Sequence, residues 1–248
     1  KRPGTVGICA AIQNKYGVDA VPHILCGGFS KEDTENFLID IDFLGIHNVV
    51  ALRGDAVKTE TYFKPEKNGH AFAKDLVEQI VKMNHGTYLD ESLENSACTD
   101  FNIGVAGYPE KHMEAASLEQ DIYHLKKKVE AGADYIVTQM FFDNQKYYDF
   151  VEKCRTSGIN VPIIPGLKPI TTKSQLSMIP HRFKVDLPNE LVIAIAKAKD
   201  NKEVKEIGIN WCIQQSKDLM KNGAPVLHYY SMGKSEVVKR IASEVFKD

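Results

Sequence analysis

Six short apolar runs, rich in β-branched or aromatic residues, recur along the chain: Ala20 to Cys26, Asn48 to Arg53, Phe101 to Tyr108, Tyr135 to Phe142, Val161 to Leu167 and Val226 to Met232. Each reads as a strand. Their hydrophobicity is nearly continuous instead of alternating, which is the pattern of parallel strands covered on both faces. Capped, amphipathic segments lie between them. Ser30 stands where an N-cap belongs, Phe37, Leu38, Ile41 and Leu44 share one face, and Gly45 takes a left-handed C-terminal position. Ser117 to Gln120 has the spacing of a capping box, ahead of Ile122, Leu125 and Val129 and closed by Gly132. Asn144 opens a segment carrying Tyr147, Tyr148, Val151 and Cys154 that stops at Gly158, and residues 180–210 are mainly helical with Pro188 at a helix start. Repeated βα units require right-handed crossovers and a parallel sheet, so the fold class is α/β, either an open doubly wound sheet or a closed (β/α)8 barrel.

The turn chemistry favours the barrel. No G-x-G-x-x-G string follows the first strand. Polar residues collect instead at the C-terminal ends of several strands: Arg53 with Asp55, Tyr108 with Glu110, Gln139 with Asp143, Ser231 with Lys234. Sites assembled from many strand ends are the habit of TIM barrels. A closed barrel needs eight strands, so the chain is expected to hold about six of eight βα units. Residues 1–248 are read as one catalytic barrel domain, incomplete at its N-terminal side. Residues 56–70 and 85–100 are polar and irregular and read as long loops or lids.

Composition narrows the partners. With 31 Lys+Arg against 33 Asp+Glu the net charge is -2, which gives no pull toward nucleic acid or an anionic membrane and leaves small molecules as the expected ligands. The five cysteines are far apart without a C-x-x-C pair, and the eight histidines form no H-E-x-x-H, so neither a disulfide framework nor a metal centre is expected. No apolar stretch has membrane-spanning length and the first residues form no apolar signal core, which points to a cytoplasmic protein.

Several motifs can carry chemistry. In Arg53-Gly54-Asp55, Gly54 permits close backbone approach to a ligand, Arg53 can bond a phosphate or carbonyl, and Asp55 can move or tune protons. A salt bridge closing the strand is the plainer reading. Gly107-Tyr108-Pro109-Glu110-Lys111-His112 turns directly after a strand, so its aromatic and imidazole groups can face a barrel mouth. Lys126-Lys127-Lys128 taken alone is a solvated helix face, but a pyrophosphate would suit it. Gln139 places an amide inside an apolar strand, where it must find partners in the protein or in a ligand with mixed donors and acceptors. Gly233-Lys234-Ser235 lacks the earlier glycine of a phosphate loop, since that position is His228.

Taken in order, VPHILC (21–26), VVALRGD (49–55), GVAGYPEKH (104–112), AGADYIVTQMFFD (131–143), VPIIPGLKP (161–169) and LHYYSMGKS (227–235) resemble methylenetetrahydrofolate reductase. The resemblance runs over nearly the whole chain. It implies an FAD-containing (β/α)8 barrel that passes hydride from NADH or NADPH through the flavin to 5,10-methylenetetrahydrofolate, giving 5-methyltetrahydrofolate for methionine synthesis. Without the eukaryotic regulatory extension the chain looks like the bacterial, NADH-using type, and a symmetric homo-oligomer is implied. Carried over by motif, His23, Arg53, Gly54, Asp55, Ala73, Tyr108, His112, Ala115, Asp121, Lys127 and Lys128 match flavin-contacting positions. Asp55 and Gln139 match catalytic positions, while Gln139, Gln175 and Lys234 match substrate positions, Lys234 replacing an arginine. Members open with a strand bearing a glutamate that acts as general acid on the folate, and no such motif is present here. Two other readings share these motifs: a deazaflavin- or flavin-dependent barrel oxidoreductase acting on another pterin one-carbon carrier, and a folate- or flavin-binding module without catalysis.

Overall fold

The computed structural model describes residues 3–56, 60, 62–233 and 235–247. Its strands are β1 (His23–Leu25), β2 (Asn48–Leu52), β3 (Asn102–Gly107), β4 (Tyr135–Met140), β5 (Ile163–Leu167) and β6 (His228–Tyr229). They follow chain order in one sheet, and β1–β2, β2–β3, β4–β5 and β5–β6 pair in parallel. The α/β class and the parallel sheet therefore stand, with the six expected strands among the described residues. Every expected strand is found, but each is shorter than its apolar run. Burial outlasts the ladder: Phe141 and Phe142 stay buried beyond the end of β4, so hydrophobicity overstates strand length.

The helices are α1 (Thr5–Tyr16), α2 (Lys31–Phe43), α3 (Ala73–Asn84), α4 (Leu118–Glu130), α5 (Asn144–Thr156), α6 (Gln175–Phe183), α7 (Asn189–Lys197), α8 (Asn201–Lys221) and α9 (Ser235–Val245). Ser30 caps α2 in a full capping box with Asp33, and Gly45 follows at φ 69. At α4 the box is shifted: Ser117 Oγ accepts the Gln120 N–H, but Gln120 reaches back to the N–H of Ala116. The cap of α5 is Asp143, one residue ahead of the expected Asn144, accepting the Gln145 N–H at 2.9 Å. Glycine precedes α1, which buries only Cys9, and Phe72 precedes α3.

The chain forms two compact units. The first, residues 1–106 with 127–135, packs β1 to β3 with α1, α2 and α3 around Leu38, Ile41, Val49, Leu76, Ile80 and Ile103. Within it Gly104 is obligatory, since a Cβ there would lie 2.4 Å from the Tyr135 ring, whose hydroxyl donates to Val49 O at 3.0 Å. The second, residues 107–126 with 136–248, has a core of Met140, Phe142, Ile170, Ile179, Leu191 and Ile195 among others. Gly208 of α8 lies so close to the Ile170 backbone that a Cβ would approach its carbonyl oxygen to 1.8 Å.

Candidate functional site

In the first unit the expected residues gather at strand ends and one helix start. His23 stays accessible on β1, while its surroundings desolvate the ring enough to lower its pKa. Arg53 leaves the end of β2 half-buried, its guanidinium 5.3 Å from the centre of the Phe63 ring. Its carbonyl accepts the Gly27 N–H at 3.3 Å, tying the β1 and β2 exits together. Gly54 has φ 86, a conformation that excludes most side chains, and Asp55 beyond it is exposed. Ala73 is the first residue of α3, where Phe72 brings no side-chain oxygen but the Asp75 carboxylate accepts the Phe72 N–H at 3.2 Å. Lys74 follows Ala73, bound to Glu78, whose hydrogen bond raises the Lys74 pKa while desolvation and the charge of Lys127 lower it. Lys127 also meets Glu130 at 2.7 Å, and Lys128 Nζ donates to Ala106 O at 2.7 Å. The lysine run is thus half-buried and engaged, not a plain solvated face.

In the second unit the turn after β3 is held as a piece. Tyr108 and His112 meet edge to face with ring centres 4.7 Å apart. The His112 N–H donates to Asp121 Oδ2 at 2.8 Å, and its Nδ1 accepts the Glu114 N–H at 3.1 Å, which leaves the ring proton on Nε2. Ala115 donates its N–H to His112 O. Tyr108, His112, Ala115 and Asp121 are therefore brought together by short-range bonds, with Asp121 on α4 anchoring the turn.

Gln139 sits at an irregularity. The β4–β5 register shifts between Val137 and Met140, and Thr138 Oγ1 accepts the Gly166 N–H at 2.9 Å. Gly166 is required there, because a Cβ would come within 2.2 Å of Thr138 O. Released from the ladder, the half-buried Gln139 turns Oε1 to the Met140 N–H at 3.0 Å, and its Nε2 makes no hydrogen bond among the described residues. Gln175 spends its amide oxygen locally, accepting the N–H groups of Thr171 and Thr172 at 2.6 and 3.1 Å. Lys234 lies outside the described residues. One residue given no role in the sequence stands out: Glu110, whose carboxyl pKa burial pushes up to about 7. Among the described residues no group of three or more His, Cys, Asp or Glu side chains could hold a metal ion, and no helix is long and apolar enough to cross a membrane.

The family model for methylenetetrahydrofolate reductase matches residues 1–245. The chain belongs to the methylenetetrahydrofolate reductase family. Methylenetetrahydrofolate reductase (NADH) 1 of Arabidopsis thaliana is 36% identical over 238 residues, covering 92% of this chain and 38% of its own length. The 5,10-methylenetetrahydrofolate reductase of Escherichia coli is 32% identical over 238 residues, 96% of this chain and 73% of its own. The chain thus spans under two-fifths of the plant methylenetetrahydrofolate reductase, and identity alone does not separate the bacterial from the eukaryotic type. Among solved structures, a Clostridium thermocellum protein that binds two copies of 5-methyl-5,6,7,8-tetrahydrofolic acid aligns with TM-score 0.56 at 14% identity, covering 94% of this chain and 75% of that one. That likeness speaks to the fold.

Proposed function

We propose that the chain reduces 5,10-methylenetetrahydrofolate to 5-methyltetrahydrofolate, using NADH or NADPH as donor and FAD as the bound cofactor. The observation that carries the reading is the family match over residues 1–245, on which the expected motifs lie in order. A single barrel domain in a cytoplasmic homo-oligomer accords with this family but belongs to the same proposal.

The residues fit the cofactor. By the resemblance, the flavin pyrophosphate lies at the start of α3, where Lys74 stands beside the Asp75 carboxylate that accepts the Phe72 N–H at 3.2 Å. Gly54, at φ 86, allows a planar ring to approach the backbone. Bound FAD would supply two-electron carriage between nicotinamide and folate. In this reading His23, Arg53, Gly54, Ala73, Tyr108, His112, Ala115, Asp121, Lys127 and Lys128 are flavin contacts, as the resemblance implies. Asp55 sets the electrostatics near the reacting ring and assists proton placement. Gln139, with Nε2 unspent, donates to the acceptor edge of folate and nicotinamide in turn, and Gln175 and Lys234 contact substrate.

Asp55→Asn tests the central assignment to a residue. It is expected to slow folate reduction more than NADH oxidation in separate anaerobic half-reactions. Equal slowing of both removes Asp55 from this role. The spectrum of the bound cofactor separates a flavin from a deazaflavin.

A further inference from the structure

Glu110 is a buried carboxyl group that the reading above leaves unused. It follows Tyr108 and Pro109 in the turn after β3, and Lys111 behind it is held at φ 82. Its Oε2 accepts the backbone N–H of Asp186 at 3.0 Å, across 76 residues of sequence. Its Oε1 is buried and meets no hydrogen-bond donor. The charged groups that face it are Asp186, on the connection between α6 and α7, and Lys146 of α5, which stands 3.7 Å from the Asp186 carboxylate. An ionised Glu110 would therefore set a bare, buried anionic oxygen beside a second carboxylate. The Asp186 side chain is itself 82% exposed, so a proton on Glu110 is what removes both penalties.

We propose that protonated Glu110 and the Asp186 N–H form a clasp that fixes the Tyr108–His112 turn to the segment between α6 and α7, making Glu110 a positioning residue for flavin retention. The clasp itself stands on the geometry above, and its effect on flavin rests on the reading of Tyr108 and His112 as flavin contacts. Desolvation and then the Asp186 charge raise the Glu110 pKa to about 7, against the Asp186 N–H and Lys146, which lower it. The closed clasp thus keeps its proton up to about pH 7, whereas an opened, solvated Glu110 releases it near its ordinary value of 4.5. More protons are bound closed than open across that window, so opening grows easier as pH rises. From about pH 6 to about pH 8 the opening constant is expected to rise ~10-fold.

Amide exchange at Asp186, corrected for its intrinsic rate, reads the clasp in the flavin-free chain and with FAD bound, and FAD affinity is measured in parallel at both pH values. The expected result is a ~10-fold rise in Asp186 opening for the natural chain and a flat profile for Glu110→Gln, whose amide oxygen can accept the Asp186 N–H without a titrating proton. Bound FAD should slow Asp186 exchange in both chains, because flavin contacts the closed turn. Glu110→Ala should exchange fast at both pH values. If that variant does not fold, the glutamine variant still decides. Identical pH profiles for the natural and glutamine chains overturn the clasp. Asp186 exchange that bound FAD leaves unchanged overturns the positioning role. Expected exchange behaviour with no FAD binding at any pH supports the clasp and counts against the flavin reading instead.

Discussion

At the scale of single residues, the candidate site divides into groups whose bonds are already spent and groups left open. Asp121 belongs to the first, because its carboxylate holds the His112 N–H. Asp121→Ala should weaken FAD binding about tenfold, the worth of one hydrogen bond of roughly 1–1.5 kcal/mol, whereas Asp121→Asn keeps an acceptor and most of the affinity. A fluorescence titration of flavin decides between them, and equal losses in both variants would point to charge instead of position. Gln139 belongs to the second group. Gln139→Leu leaves the Met140 N–H without its acceptor and removes the open Nε2, so kcat/KM for folate should fall by about 10- to 100-fold, against a stability loss of only about 1 kcal/mol. A stability loss matching the activity loss would make Gln139 structural. The buried His70–Gln79 pair is structural in this sense: Gln79 Nε2 also donates to Lys31 O at 2.9 Å, binding the segment before α3 to the start of α2. Gln79→Leu strands buried polar groups at both ends and should cost about 1–3 kcal/mol in urea unfolding, with no change in cofactor specificity.

At the scale of elements, the strands and their order in the sheet were legible because continuous apolar runs and capping residues are local signals. Ser30 with Asp33 and Gly45, for example, define both ends of α2 from a few neighbouring side chains. α1 was not legible, since Ile8, Ile12 and Tyr16 are exposed and only Cys9 is buried, leaving no face to read. α3 has a clear apolar face of Leu76, Val77, Ile80 and Met83, but an aromatic residue at its N-cap hides its start. The site shows the same division. Arg53, Tyr108, His112 and Gln139 are visible in sequence because they stand at strand ends, whereas the partner of Glu110 comes from 76 residues away and its burial is a property of the packed unit. Close packing between elements is equally invisible. Gly208 against Ile170 and Gly166 against Thr138 leave no room for a methyl group. Gly208→Ala and Gly166→Ala should each destabilise by about 1–3 kcal/mol or more, measured as a lowered urea midpoint at unchanged slope. Neutral substitution at either position contradicts this packing.

For the whole molecule, sheet order and family agree, and the chain covers 73% of the length of its Escherichia coli relative but 38% of the plant one. What distinguishes a catalyst from a ligand-binding module of the same fold is turnover of the flavin by both substrates. The direct measurement is the visible spectrum of the FAD-reconstituted protein without oxygen. Added NADH or NADPH should bleach the oxidised flavin band, and 5,10-methylenetetrahydrofolate should restore it with formation of 5-methyltetrahydrofolate. A protein that cannot be reconstituted with FAD, or whose bound flavin neither nicotinamide reduces, contradicts the account.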